Sequence, residues 1–372
     1  MIMSNIRDSA EHLPATKVAP WRIDIVPAGT PAHTQYELQL RSRGVALPFA
    51  SHAATAALSE LSPAVFIAIL DADGQCAGGF AAQARPAPLL PGHQLLRVEQ
   101  LGSNVPLQAT DAMVAALRKW IEKQRRVLRL SVDVFAFDAA RRGSISATLA
   151  RHGFRRSKFA NGYTETAVLD LAPTEDELFS SLHHSARRKI RQVEKRGLQI
   201  RTVDDPSFHD RMNALLQETY ARTQGNIPER NWRERIALST TDPDRSRIVG
   251  LFVPDETGPQ SLIAYAWGCH GDDHVYYSEA ASTRATGEHR VAVAYGLMWD
   301  LIRWAKRTGA RLFDMGGITH GTHDDDDPLG GISDFKRYFS RQTLEVREEW
   351  ILDDHSLRAV AVGAVHRRLR GG

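Results

Sequence analysis

The sequence predicts an α/β protein, an α+β arrangement of mixed sheets interleaved with helices, built as two similar lobes. Three observations carry this. The chain has 372 residues, enough for two or three domains. Its 42% hydrophobic and 24% charged residues are ordinary globular usage, which excludes a disordered chain, a fibrous repeat and a disulfide-stapled miniprotein. An order of hairpin, helix, strand, helix, strand then occurs twice along it.

In the first half, residues 65–70 are a β-rich apolar run, Asp71-Ala72-Asp73-Gly74 reads as a turn, and 76–84 return as a second strand. Asp111 stands as an N-cap before Met113, Val114, Leu117, Trp120 and Ile121, whose spacing marks an amphipathic helix. Residues 127–135 alternate as a strand, 144–152 read as a helix stopped by Gly153, and 163–171 alternate again. In the second half, 247–253, 261–269 and 274–280 are strands, followed by a long helix over 291–306 capped by Gly309. A short strand over 311–315, a Gly- and Asp-rich loop, a helix over 332–339 and a closing strand over 343–351 complete the repeat.

A helical connector joins the halves. Thr174 and Glu177 form a capping box before Leu178 and Phe179. A basic helix over 185–196, carrying Arg187, Arg188, Lys189, Arg191, Lys195 and Arg196, ends at Gly197, and Leu198 and Ile200 open a strand. The expected division is an unstructured start at 1–20, a first lobe at 21–172, a second at 173–352 with the connector at 174–197, and a basic tail at 353–372. Ligands favour the cleft between such lobes.

The 47 basic and 44 acidic residues leave a formal charge of +3, which neither demands nor excludes a nucleic-acid partner. Cys76 and Cys269 form no CxxC pair, so a reducing compartment is the expectation. No run of 18 apolar residues predicts a membrane span, and 1–20 lack a signal-peptide core, so a cytoplasmic protein is expected. The basic tail reads as a solvated end, with peripheral contact with the inner membrane surface as the alternative.

Three stretches carry a family resemblance: LHHSARRKIRQVEKRGLQI at 182–200, VAYGLMWDLIRWAKRTGARLFDMGG at 293–317, and GGISDFKRYFS at 330–340. Together they resemble the FemAB-like branch of the GNAT acyltransferase superfamily, over about residues 174–350. The first lobe matches in element order and in ARHGFRRS. The resemblance implies tandem GNAT-like lobes. It also implies transfer of an acyl or aminoacyl group, from an acyl-CoA or acyl-carrier thioester or an aminoacyl-tRNA, to an amine of a cell-envelope or polysaccharide precursor. These donors are co-substrates, and no tightly bound cofactor is implied. The rival reading is a catalytically inactive GNAT-fold module that binds an anionic envelope precursor or RNA.

Acyl transfer to an amine needs a neutral amine, a polarised carbonyl and close positioning. By resemblance Lys336 is the family's F-K lysine at the cleft, neutralising developing negative charge; the plain alternative is a solvated lysine on an amphipathic helix with Phe335. Asp314 precedes Gly316 and Gly317, which permit close backbone approach, and is a candidate base or a buried acid holding the loop. Glu279 is a candidate proton acceptor or a rim charge, and Tyr277 beside it and Phe335 are candidate substrate contacts. Arg284 and Gly287 partly match an acyl-CoA pyrophosphate loop at a helix N-terminus, or form an ordinary turn. Arg187 and Arg191 share a helix face and are candidates, with Arg222, for gripping an anionic substrate; the alternative is a solvated charged face. His320, His323 and 324–327 form an acidic lid loop rather than a metal site. No G-x-S-x-G, P-loop or H-E-x-x-H motif is present.

Overall fold

Period-two alternation sorts the side chains of the first half onto the two faces of a sheet. The strands are β1 (Arg22–Pro27), β2 (Pro63–Leu70), β3 (Cys76–Pro86), β4 (Gln94–Leu101), β5 (Val127–Phe135) and β6 (Arg155–Arg156). One face, with Ile67, Phe80, Val98, Leu130 and Val132, packs under α2 (Thr110–Glu122) and α3 (Ala139–Arg151). The other face meets α1 (Pro31–Ser42) through Leu40, Phe66 and Leu70. This is a computed structural model, and it describes residues 21–57, 63–88, 90–158, 162–222, 230–254, 256–271, 274–283, 292–322, 327 and 329–353.

The second half contributes β7 (Glu165–Asp170), α4 (Glu175–Ser181), α5 (His184–Lys195), β8 (Gln199–Thr202), α6 (His209–Arg222), α7 (Trp232–Thr241) and β9 (Ser246–Phe252). After these come β10 (Leu262–His270), β11 (His274–Ser282), α8 (Val293–Arg307), β12 (Leu312–Gly317), α9 (Gly330–Arg337), β13 (Thr343–Glu345) and β14 (Arg347–Asp353). On β10, Ala264 and Ala266 face α5 and α8, while Tyr265, Trp267 and Cys269 face α6 and α7. The capping box at Thr174 is present: its hydroxyl accepts from Glu177 N at 3.3 Å and its own N–H donates to the Glu177 carboxylate at 2.8 Å.

Among the described residues the strands form two mixed sheets of seven, ordered β1-β2-β3-β4-β5-β14-β6 and β13-β7-β12-β11-β10-β9-β8. Two expectations change here. The strand expected to end the first lobe is β7, and it lies in the second sheet between β12 and β13. The single closing strand expected over 343–351 is two strands in different sheets. The chain crosses over at Val346, whose N–H donates to Thr164 O at 2.9 Å and whose carbonyl accepts from Ala136 N at 3.0 Å. The sheets therefore exchange strands across the division drawn at 172/173. Alternation fixes which face a residue takes, not which sheet its strand joins.

Asp111 is also not the N-cap of α2. That helix starts at Thr110 after Ala109, and the Asp111 carboxylate instead takes His152 Nε2 at 3.0 Å. The lobes meet where His274 of β11 stacks on Phe135 and edges Phe137, at centroid distances of 5.7 and 4.9 Å.

Candidate active site

The site lies where two parallel strands part. β11 and β12 pair at His274–Leu312, Val275–Phe313 and Tyr276–Asp314 and no further, although both strands continue. A wedge thus opens beyond Tyr276 and Asp314, on the sheet face turned toward the first lobe. The matching pair in the first sheet, β4 and β5, stays paired as far as Leu101–Val134, with a register shift between Val98 and Leu101. There a Cβ on Gly102 would overlap the Phe135 carbonyl oxygen, so only glycine fits this close approach.

Asp314 sits at the apex of the wedge with 0% exposure. Its Oδ1 accepts from the Thr166 hydroxyl and from Gly316 N, the latter at 2.7 Å, and its Oδ2 accepts from Tyr163 Oη at 3.2 Å. Burial, then the charge of Asp314, raises the Tyr163 hydroxyl well above the usual range, so it stays a donor. Gly316 has φ +76°, and a Cβ there would stand 3.4 Å from Lys336 Nζ and 3.7 Å from the Tyr277 carbonyl. Lys336, expected either at the cleft or in solvent, is 7% exposed and donates to Gly317 O at 2.6 Å. It forms no ion pair among the described residues. Burial lowers its pKa to about 8, with Asp314 pulling the other way. Phe335 packs edge-on against Tyr295 at 4.8 Å, which fixes the helix that carries Lys336.

Glu279 reaches the same face through a bulge. β11 pairs Tyr277 with Gly268 and Glu279 with Trp267, so Ser278 is an extra residue that turns Glu279 onto the side of Asp314. Strict alternation would have put it under α8 with Tyr277. Its side chain is 9% exposed, and its Oε1 lies 3.5 Å from Arg230 Nη2.

The connector differs from its sequence reading. Arg187 donates to the carbonyls of Ser180 and Leu182, the latter at 2.8 Å, and so closes the C-terminus of α4. Arg191 lies over the Phe179 ring at 5.1 Å. The cation turned inward is Lys189, whose Nζ donates to Tyr295 Oη at 3.1 Å and sits 4.4 Å from that ring's centroid. Its position next to buried Ile190 and three residues after buried Ala186 was the available signal. Arg187→Ala is expected to lower stability slightly, by at most about 1 kcal/mol, and to leave substrate KM unchanged in a transfer assay. A raised KM would restore it as a substrate ligand.

The Arg222 side chain, Arg284, Gly287, His323 and 324–326 lie outside the described residues. The His320 side chain is 93% exposed, 3.5 Å from the Glu165 carboxylate. Among the described residues no group of three or more His, Cys, Asp or Glu could hold a metal ion. None of their helices is long and apolar enough to cross a membrane.

Residues 180–337 match the family described as Acetyltransferase (GNAT) domain. That match falls within the second lobe and includes the parted strands β11 and β12. The chain is similar in fold to FemX, at 16% identity over 88% of this chain and 97% of that one, with a TM-score of 0.69. It is also similar to L-PGS from Bacillus licheniformis, at 13% identity over 92% and 98%, TM-score 0.54. A third likeness is the C-terminal domain of a putative lysylphosphatidylglycerol synthetase from Agrobacterium fabrum, at 12% identity over 90% and 95%, TM-score 0.52. No curated protein sequence matches the chain. The two-lobed fold is similar to that of FemX and of L-PGS.

Proposed function

We propose that this protein is an acyltransferase that moves an acyl or aminoacyl group from an activated donor to the amine of a cell-envelope or polysaccharide precursor, at the wedge between β11 and β12. The observation that carries the reading is Lys336: a buried ammonium at the wedge apex, held by a neutral carbonyl rather than by a carboxylate. An ammonium has three N–H donors, and only one is used there. The others suit the oxyanion formed when the acceptor amine adds to the donor carbonyl. Collapse of that intermediate breaks the bond to the thiolate or ribose oxygen of the donor.

Asp314, with both oxygens engaged and no exposure, suits a positioning acid rather than a base. It anchors the 316–317 turn and favours the charged form of Lys336. Glu279, turned onto the same face, is the proton acceptor for the amine, directly or through water. The solved structure named for lysylphosphatidylglycerol synthetase supports an envelope setting and an aminoacyl group. The donor is an aminoacyl-tRNA or an acyl thioester such as acyl-CoA.

The test is turnover of acetyl-CoA, longer acyl-CoA esters and charged tRNA with amine acceptors, following release of the CoA thiol or the tRNA. Release that depends on acceptor supports transfer; absence of turnover with every donor, together with tight binding of an anionic precursor or RNA, favours the binding module. The active form of Lys336 is the cation, so kcat is expected to fall as pH rises through about 8. A rate flat from pH 7 to 9.5 would remove Lys336 from the chemistry.

A further inference from the structure

The exchanged strand β14 brings Arg347 from the first sheet against Tyr163, the residue that donates to Asp314 in the second. The Arg347 guanidinium lies 4.6 Å over the Tyr163 ring, and its Nε is 3.0 Å from Asp133 Oδ1 on β5. Arg97 of β4 stands 3.7 Å from the other oxygen of Asp133. Asp133 is buried, and burial raises its pKa to about 6 despite the two arginines.

Two glycines show how closely this chain of groups is fitted. A Cβ on Gly162 would overlap Arg347 Nη1, so glycine is what lets the guanidinium keep its place over the ring. A Cβ on Gly317 would overlap the Cβ of Tyr163, so glycine is also what lets the tyrosine lie against the turn. The Gly317 carbonyl is the acceptor of the Lys336 ammonium. Continuous side-chain packing thus runs from Asp133 through Arg347 and Tyr163 to the group that holds Lys336.

We infer that Tyr163 and Arg347 are positioning residues through which the first sheet sets the place of the Lys336 ammonium. The ring of Tyr163 fixes the Gly317 carbonyl, and Arg347, steadied by Asp133, clamps the ring. The significance of this placement rests on the reading of Lys336 as the oxyanion donor. The placement itself is tested without donor or acceptor, so its failure and the failure of that reading are distinguishable.

The probe is trace acetic anhydride applied to the full chain at graded pH, with modification of Lys336 read by peptide mass spectrometry. The wild-type midpoint is expected near about 8. Asp314 is the charge that acts on this amine, while Asp334 and Arg337 of the same helix pair with each other at 3.0 Å. Gly162→Ala displaces the guanidinium without changing any charge. Loosening the turn admits water to the amine, so the midpoint should rise by about one unit toward the ordinary lysine value. Tyr163→Ala should do the same. Tyr163→Phe keeps the ring and should keep the wild-type midpoint.

Unchanged midpoints in folded Gly162→Ala and Tyr163→Ala would overturn the inference, as would a raised midpoint in Tyr163→Phe. Should Tyr163→Ala fail to fold, Gly162→Ala and Tyr163→Phe decide it. With a donor in hand, Gly162→Ala should lower kcat and leave KM unchanged.

Discussion

Lys336→Met is expected to lower kcat by about 10²–10³-fold, or about 3–4 kcal/mol of transition-state stabilisation, with little change in KM. The loss should not come from unfolding. In the wild type the ammonium is buried without a carboxylate partner, and its pKa is depressed from 10.5 to about 8. Between those values the unfolded chain holds a proton that the folded chain lacks, so this group's contribution to stability improves as pH rises through that window. Below it the buried charge opposes folding, and methionine of similar length removes that opposition. The thermal midpoint of the variant at pH 7 should therefore equal or exceed that of the wild type. Calorimetry beside steady-state kinetics checks both halves, and a variant with normal kcat would disqualify the lysine.

Asp314→Asn should act on the same group from the other side. The aspartate raises the proton affinity of Lys336. Without its charge, the midpoint of the alkaline limb should move below about 8, by about one unit, and the rate near neutral pH should drop accordingly. Stability should also suffer. The Thr166 hydroxyl, the Tyr163 hydroxyl and Gly316 N all donate to this carboxylate. An amide offers one accepting oxygen, so at least one buried donor faces an N–H, at about 2–4 kcal/mol. The kcat–pH profile and the thermal midpoint test the two effects separately. An alkaline limb that stays in place would show that the pair is not coupled.

Local chemistry was the legible part of this sequence. The T-x-x-E capping box, the apolar spacing of α8, the hairpin before Cys76 and the glycines after Asp314 all behave as their neighbours in the chain dictate. Lys336 was legible as a residue, but its burial was not, since a lysine on an amphipathic helix looks the same whether solvent or a second lobe covers it. Strands β1 and β4 and helices α1, α6 and α7 were missed. On β4, Leu96-Arg97-Val98-Glu99 alternate between core and the other face, but the shift between Val98 and Leu101 cuts the alternation to four residues.

Long-range pairing was beyond local reading altogether. Nothing near Tyr163 announces Asp314, which lies 151 positions away. Nothing near Arg347 announces Asp133. The bulge at Ser278, which re-aims Glu279, likewise follows from what β10 offers opposite rather than from β11 itself.

The exchanged strand also has a consequence for biosynthesis. β14 lies between β5 and β6, so the sheet begun at Arg22 stays unfinished until residue 353 has left the ribosome. Domains usually fold in the order in which they are translated. Here β1 to β5 wait with an open edge for β14, and the second sheet must accept β7 while the first is still a seat short. A gene cut at the midpoint would yield two polypeptides that each lack a central or bridging strand. Such fragments should aggregate when made singly and regain solubility when co-expressed.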